Sequence, residues 1–259
     1  MHPTLFEIGG FAFGTFGLML FISALASLAL ALRLARLSGM SHVTVLTLFT
    51  LVLMGGFVGG KLLYVLTNLE SVLDDPTRIL GRGGLVYYGA FLGGVGFAFL
   101  YIRRDPDLNF LPSADIAAPA IALSQTIGRL GCFSAGCDYG SPTSLPWAVT
   151  FTRPDAVVGL PRNVALHPTQ LYEAVGTLII CVLLYRLFIR RRFDGQVFCA
   201  YLLSYGVLRF CVEFVRGDAS RGFVLDGLFS TSQTISLVLI CVALVSYRVL
   251  SQRVKGAAH

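Results

Sequence analysis

Seven long apolar runs constrain this chain more than any other feature. They fall at roughly 11–35, 43–67, 84–102, 114–135, 166–189, 196–215 and 232–250. A helix that crosses a bilayer needs about 20 mostly apolar residues, and each run meets or approaches that length. Lipid offers no partner to open backbone groups, so the runs are expected as α-helices. A closed barrel would show shorter, alternating segments, and these runs are too long and too continuously apolar for that. Composition agrees: 55% of the 259 residues are hydrophobic and only 13% are charged. That is too apolar for an ordinary soluble domain. The expected fold class is an all-α membrane protein with seven transmembrane helices in one polytopic domain, 1–259. The first run has no basic region before it and is longer than a signal-peptide core, so it reads as a span that is not cleaved.

The loops give an orientation. Arg33, Arg36, Arg103, Arg104, Arg186, Arg190, Arg191, Arg192, Arg248, Arg253 and Lys255 all fall on one side. Arg78, Arg82, Arg153, Arg162 and Arg221 fall on the other. The positive-inside rule places the richer side, and the C-terminus, in the cytoplasm. Seven spans then put the N-terminus outside, with 137–165 as an outer-face segment. The formal charge of +6 is accounted for mostly by these cytoplasmic loops and calls for no nucleic-acid partner.

The remaining four basic residues, Lys61, Arg129, Arg209 and Arg216, lie inside or at the end of expected spans. Each costs about 2.5–3.5 kcal/mol at the bilayer centre on insertion scales, and such residues normally face a polar interior. In this orientation they sit in the outer half of the membrane, as do Tyr87, Tyr88, His167, Gln170, Glu173 and Glu213. Helical phase at 100° per residue groups them further. Tyr205, Arg209, Glu213 and Arg216 share one face, Gln125, Arg129 and Cys132 another, and His167 and Gln170 a third. Taken singly, each has a structural reading: Arg209 and Glu213 at i and i+4 as an ion pair, Arg216 and Lys61 snorkelling to headgroups. Taken together, on several helices at one depth, they point to a site for an anion. Arginine's planar fork suits phosphate. His167, just before Pro168, reads as a polar helix start or as a proton acceptor. Tyr87 and Tyr88 read as an interfacial belt, or as acid–base groups beside arginine. Cys181, Cys199, Cys211 and Cys241 lie in spans as small hydrophobes. Cys132 and Cys137 fall near the outer face, where both a disulfide and a thiol activated by Arg129 are open readings. A metal site is disfavoured because no second ligand pair lies nearby.

Six stretches carry a resemblance: "GTFGLM" at 14–19, "GGKLLYVL" at 59–66, "GGLVYYGAFLGG" at 83–94, "GRLGCFSAGCDYG" at 128–140, "LHPTQLYE" at 166–173 and "SYGVLRFCVEFVR" at 204–216. Nearly end to end, the chain resembles the prolipoprotein diacylglyceryl transferase family. The resemblance implies a seven-span enzyme of the bacterial inner membrane. It would move the diacylglyceryl group of phosphatidylglycerol onto a lipobox cysteine thiol, releasing glycerol 1-phosphate, with no metal or nucleotide cofactor. It also implies roles. Arg129 and Arg209 hold the phosphate, and Tyr205 and Glu213 support Arg209. Gly140 closes the signature, and His167, Gln170, Tyr172 and Glu173 form the "HPxQLYE" block. Lys61 and Arg216 are added as lipid-binding residues, and a monomer is expected. The sequence departs from the family at four points: Tyr88 stands at its histidine, Cys132 at an asparagine, Cys137 at a glutamate and Phe16 at a tyrosine. Tyr88 or His167 is then the candidate base. Beside the transferase stand a non-catalytic lipid- or lipopeptide-binding relative and a transferase with another acceptor. A transporter is disfavoured, because the intramembrane charges cluster on one side and no inverted repeat is seen.

Overall fold

A computed structural model describes residues 4–8, 11–79, 86–152, 160–217, 222–224 and 229–257. In chain order the elements are β1 (Thr4–Ile8), β2 (Phe11–Gly14), α1 (Thr15–Ser38), α2 (His42–Thr67), α3 (Leu69–Asp74), α4 (Tyr87–Arg104) and α5 (Phe110–Ala135). Then come β3 (Val149–Thr150), β4 (Ala165–Leu166), α6 (Thr169–Ile189), α7 (Gln196–Glu213), β5 (Phe223–Val224), β6 (Phe229–Ser230) and α8 (Thr231–Ala257). The strands form three small antiparallel ribbons, β1–β2, β3–β4 and β5–β6. Among the described residues five helices, α1, α2, α5, α6 and α8, are long and apolar enough to cross a membrane. The 18-residue α4 and α7 are shorter; α4 is glycine-rich and ends on two arginines, and α7 carries Arg209 and Glu213. The chain is therefore a mainly helical, multi-pass membrane protein.

Several boundaries differ from those expected, each for a local reason. The first helix begins at Thr15, because residues 11–14 pair with β1 as a hairpin. The helix expected from 166 begins at Thr169, because Leu166 pairs with Val149 and Pro168 occupies the N-cap position. The helix expected from 114 starts four residues earlier, at Phe110. The last helix runs on to Ala257 through a polar stretch that hydropathy alone excludes. The sixth ends at Glu213, so Arg216 is not on α7 but in a β-bridge with Gly140. Two residues expected to open the third span, 84 and 85, lie outside the described residues.

The chain divides into two compact units, residues 1–31 with 114–259, and residues 32–113. In the second unit α2 and α4 pack along a seam of glycines. A Cβ on Gly59 would meet the Gly89 carbonyl and come within 2.8 Å of the Gly93 Cα. A Cβ on Gly93 would meet the Gly55 carbonyl and come within 2.9 Å of the Gly59 Cα. Without side chains at these points the two backbones close directly on each other, the usual way helices associate in lipid. Lys61 on α2 and Tyr88 on α4 belong to this unit.

In the first unit, hydroxyls pair the helices. Ser23 of α1 meets Ser124 of α5 at 2.7 Å, and Thr126 of α5 meets Thr177 of α6 at 3.0 Å. Gly176 of α6 accommodates Leu208 of α7, and Gly206 of α7 accommodates Ile240 of α8. Asp115, fully buried on α5, accepts hydrogen bonds from the backbone N–H groups of Gly195 and Phe198, each at 2.8 Å. It thereby caps the N-terminus of α7 from another helix, satisfying donors that the helix itself leaves open.

The glycine seam makes a testable demand. Gly59→Val and Gly93→Val are each expected to destabilise the protein by about 1–3 kcal/mol through overpacking. Gly96→Ala, with nothing within 4 Å of the added carbon, should change stability by about 0.5 kcal/mol or less. Unfolding midpoints in detergent check both; equal effects at the three positions would refute the seam.

Candidate active site

Three arginines and three carboxylates meet where α5 and α7 end and α6 begins. Arg129 sits in the penultimate turn of α5 and Arg209 one turn from the end of α7. Positive charge near a helix C-terminus is favoured by the unsatisfied carbonyls there. Between them stands Glu173, on the second turn of α6 and almost wholly buried. One of its oxygens receives Arg129 Nε at 2.7 Å and the other receives Arg209 Nη1 at 2.7 Å. A single carboxylate thus ties two guanidinium groups from two helices. Arg209 also reaches Glu213 Oε2 at 3.0 Å and Ser232 Oγ at 3.1 Å. The i,i+4 pair expected of Arg209 and Glu213 is therefore present, as one link in a larger network.

The network continues into the segment after α5. Gly136, at φ 84°, ends the helix, its N–H bonding the Cys132 carbonyl at 2.8 Å. The chain then turns so that Asp138 faces back. Asp138 Oδ2 accepts from Arg129 Nη1 at 2.6 Å, and Oδ1 accepts from Arg216 Nη2. Arg216 is thus a partner of Asp138 rather than only a snorkelling end residue.

Hydrogen bonds to its backbone hold this segment from two sides. Thr169 Oγ1 donates to the Asp138 carbonyl and Gln170 Nε2 to the Cys137 carbonyl, both at 2.6 Å. Gly140 N donates to the His167 carbonyl at 3.1 Å, while Gly217 N donates to the Tyr139 carbonyl at 3.1 Å. A Cβ on Gly140 would collide with the His167 Cβ and carbonyl and reach the Val215 carbonyl at 2.9 Å. Only glycine lets the strand-like segment pass between the start of α6 and the residues after α7. Phe151, Leu160 and Leu166 form a small apolar core, with Phe133 and Tyr139 packed against it.

The other expected site residues have these places. His167 Nδ1 lies 3.2 Å from the Tyr172 hydroxyl, which accepts from Trp147 Nε1 at 2.8 Å. Tyr205 stacks on Tyr201 with ring centroids 5.7 Å apart. Gln170 Oε1 is buried and accepts no hydrogen bond among the described residues. Phe16, in the first turn of α1, lies against Gly131 of α5. Lys61 and Tyr88 belong to the other unit.

Cys132 and Cys137 are both free thiols. Hydrogen bonding from the Cys132 thiol holds Cys137 below the ordinary cysteine range. One further group, Asp138, lies beside them, short of a second ligand pair. Its carboxylate and the two sulfurs can present atoms within 4.8 Å of one another. Both Asp138 oxygens already meet guanidinium groups, however, so the surroundings favour an anion over a cation.

Sequence reasoning missed three contributors. Asp138 is legible only as a polar residue nine positions after Arg129. Trp147 lies in the segment between α5 and α6 with no periodic signal. Asp115 is absorbed into an apolar run, although a lone carboxylate in such a run is itself a signal.

Comparison with known proteins leads the same way. The family model for prolipoprotein diacylglyceryl transferase matches residues 3–249. A phosphatidylglycerol–prolipoprotein diacylglyceryl transferase of Clostridium tetani is 36% identical over 250 residues, covering 96% of this chain and 98% of that protein. A protein of the same name from Geobacter sulfurreducens is 33% identical over 264 residues, covering 99% and 98%. A second such transferase of Clostridium perfringens is 32% identical over 259 residues, covering 99% and 97%. With its arginine, glycine and carboxylate positions drawn into one constellation and nearly its whole length matched, the chain belongs to the prolipoprotein diacylglyceryl transferase family.

Proposed function

We propose that the chain transfers the diacylglyceryl group of phosphatidylglycerol to the thiol of a lipobox cysteine, forming a thioether. The observation that carries this reading is the pair Arg129 and Arg209, held at one level by the buried Glu173. Fixed guanidinium donors in a dry site stabilise negative charge that develops on a departing phosphate. The balanced step is a displacement. The thiol sulfur bonds to the glyceryl carbon as the C–O bond to phosphate breaks. The oxygen and its electron pair leave on glycerol 1-phosphate, and the thiol proton passes to a base.

Arg129 and Arg209 take the phosphate, and Glu173 and Glu213 fix their orientation. Tyr205 supports Arg209 from the same helix. Gln170 Oε1, buried without a donor among the described residues, is the acceptor we assign to a headgroup hydroxyl. Gly140 keeps the 137–141 segment close to the start of α6. Lys61 and Arg216 attract the anionic headgroup. For the proton, His167 is our first candidate, because its backbone is bonded to Gly140 within the arginine constellation. Tyr88 stands on its match to the family histidine alone. Lipid enters sideways from the bilayer and the peptide from the outer face. The arrangement we assign is a monomer of the bacterial inner membrane, with seven spans, segment 137–165 and the N-terminus outside and the C-terminus in the cytoplasm. Five helices qualify as spans by length and apolarity; α4 and α7 complete the seven.

Purified protein mixed with phosphatidylglycerol vesicles and a lipobox peptide should add the diacylglyceryl mass to the peptide cysteine and release glycerol phosphate. Arg129→Ala and Arg209→Ala should each reduce this about 100-fold or more, as for loss of a charge-stabilising donor. Arg209→Lys should not restore it, because lysine cannot bridge two oxygens with a planar fork. Normal transfer by correctly inserted arginine variants would sink the reading. His167→Ala should lower turnover roughly 100-fold or more while leaving lipid KM near its original value. For the topology, protease added to intact spheroplasts should remove an N-terminal tag and spare a C-terminal one; the reverse pattern refutes the orientation.

A further inference from the structure

Asp138 occupies the position at which an anionic ligand would meet two of the three arginines. Its two oxygens are divided between Arg129 and Arg216, much as two oxygens of a phosphate would be. Of the three carboxylates it alone is substantially open. Its side chain is 30% exposed, against 3% for Glu173 and 1% for Glu213. It also differs in attachment. Glu173 and Glu213 project from helices, while Asp138 lies in the short segment after α5 with φ 58°. The backbone there is fixed by Thr169 and Gln170, so the carboxylate can leave the arginines by side-chain rotation alone.

We propose that Asp138 is an exchangeable counter-anion. The lipid phosphate displaces it from Arg129 and Arg216, and its return expels the phosphate-bearing product. This rests on the reading of Arg129 as a phosphate ligand. The six side chains of the network, three arginines and three carboxylates, sum to zero formal charge. A phosphodiester adds one negative charge in a poorly hydrated setting. Balance is restored when the most exposed carboxylate swings out to water. Because its backbone stays clamped, Asp138 remains at high local concentration next to the arginines it left. The glycerol phosphate formed carries more charge than the diester and binds guanidinium groups more tightly. A tethered competitor for Arg129, the arginine the two share, hastens its release. The same exchange makes the site selective for lipids that bring an anion over neutral glycerides, which offer nothing in Asp138's place.

The test uses the full-length protein in detergent and glycerol 1-phosphate as probe, with calorimetric binding and transfer kinetics side by side. Asp138→Asn and Asp138→Ser are expected to bind glycerol 1-phosphate at least tenfold more tightly than the wild type. They should also lower the KM for phosphatidylglycerol about as much, and reduce kcat through slower product release. Asp138→Glu should stay close to the wild type in all three. A merely structural role predicts weaker binding and a lower unfolding midpoint instead. In the wild type, saturating glycerol 1-phosphate should make Asp138 more reactive to a water-soluble carbodiimide, read by mass spectrometry. Unchanged labelling, or equal or weaker probe binding by the uncharged variants, overturns the exchange while wild-type transfer leaves the proposed function standing. Absence of both probe binding and transfer in the wild type overturns the two together.

Discussion

A guanidinium group inside a membrane bundle must be paired, and the end of this protein where α5 and α7 finish and α6 begins is organised by that requirement. Glu173 meets two arginines at once, one from α5 and one from α7. Taking charges out of water costs several kcal/mol per ion even after relaxation, and mutual attraction offsets this only with good geometry. A set of apolar side chains of equal volume would hold three helices together at least as well. The network is therefore poorly explained as a stabilising device, which is why the proposed function gives its arginines a ligand to hold. The clamps around residues 137–141, the glycine at 140 and the start of α6 all serve to keep its partners within reach.

Much of the fold is readable from hydropathy because lipid enforces helices wherever a run is long and apolar. The boundaries that fail do so where a second constraint competes. At 11–14 and 165–166 the residues are apolar enough to extend a helix, yet they pair as strands. At the C-terminal end, α8 continues through a polar stretch because nothing in hydropathy marks where a helix stops once it leaves the bilayer. The spacing of glycines along α2 and α4 is by itself a sign of close packing. Only the packed helices separate Gly59 and Gly93, where an added Cβ would strike backbone, from Gly96, where it would meet nothing within 4 Å.

The site is legible to a similar depth. Intramembrane arginines announce themselves by their cost, and Arg129, Arg209 and Glu173 converge as that cost demands. The role of Glu173 as a bridge between two helices is not legible, since periodicity describes one helix at a time. Arg216 shares a helical face with Arg209 on paper, but the helix ends at Glu213 and Arg216 is reached by a turn. Asp138 escapes because a residue in an irregular segment has no phase. Its importance comes from the direction in which the chain folds back after Gly136, which composition does not encode.

The cap that Asp115 places on α7 has a consequence for dimensions. Because its carboxylate holds the Gly195 N–H, α5 and α7 share a common origin. Arg129 lies fourteen residues beyond Asp115, and Arg209 lies fourteen beyond Gly195. At 1.5 Å per residue each helix climbs about 21 Å, so both arginines arrive at the same height. The two helices act as uprights of equal length on one footing, with Glu173 as the crossbar. Neither can gain or lose a residue along that stretch unless the other does the same. A lone insertion would raise its arginine by about 1.5 Å and swing it about 100° out of line. The gauge of the arginine network is set at the far end of the bundle, by a residue that touches none of its arginines.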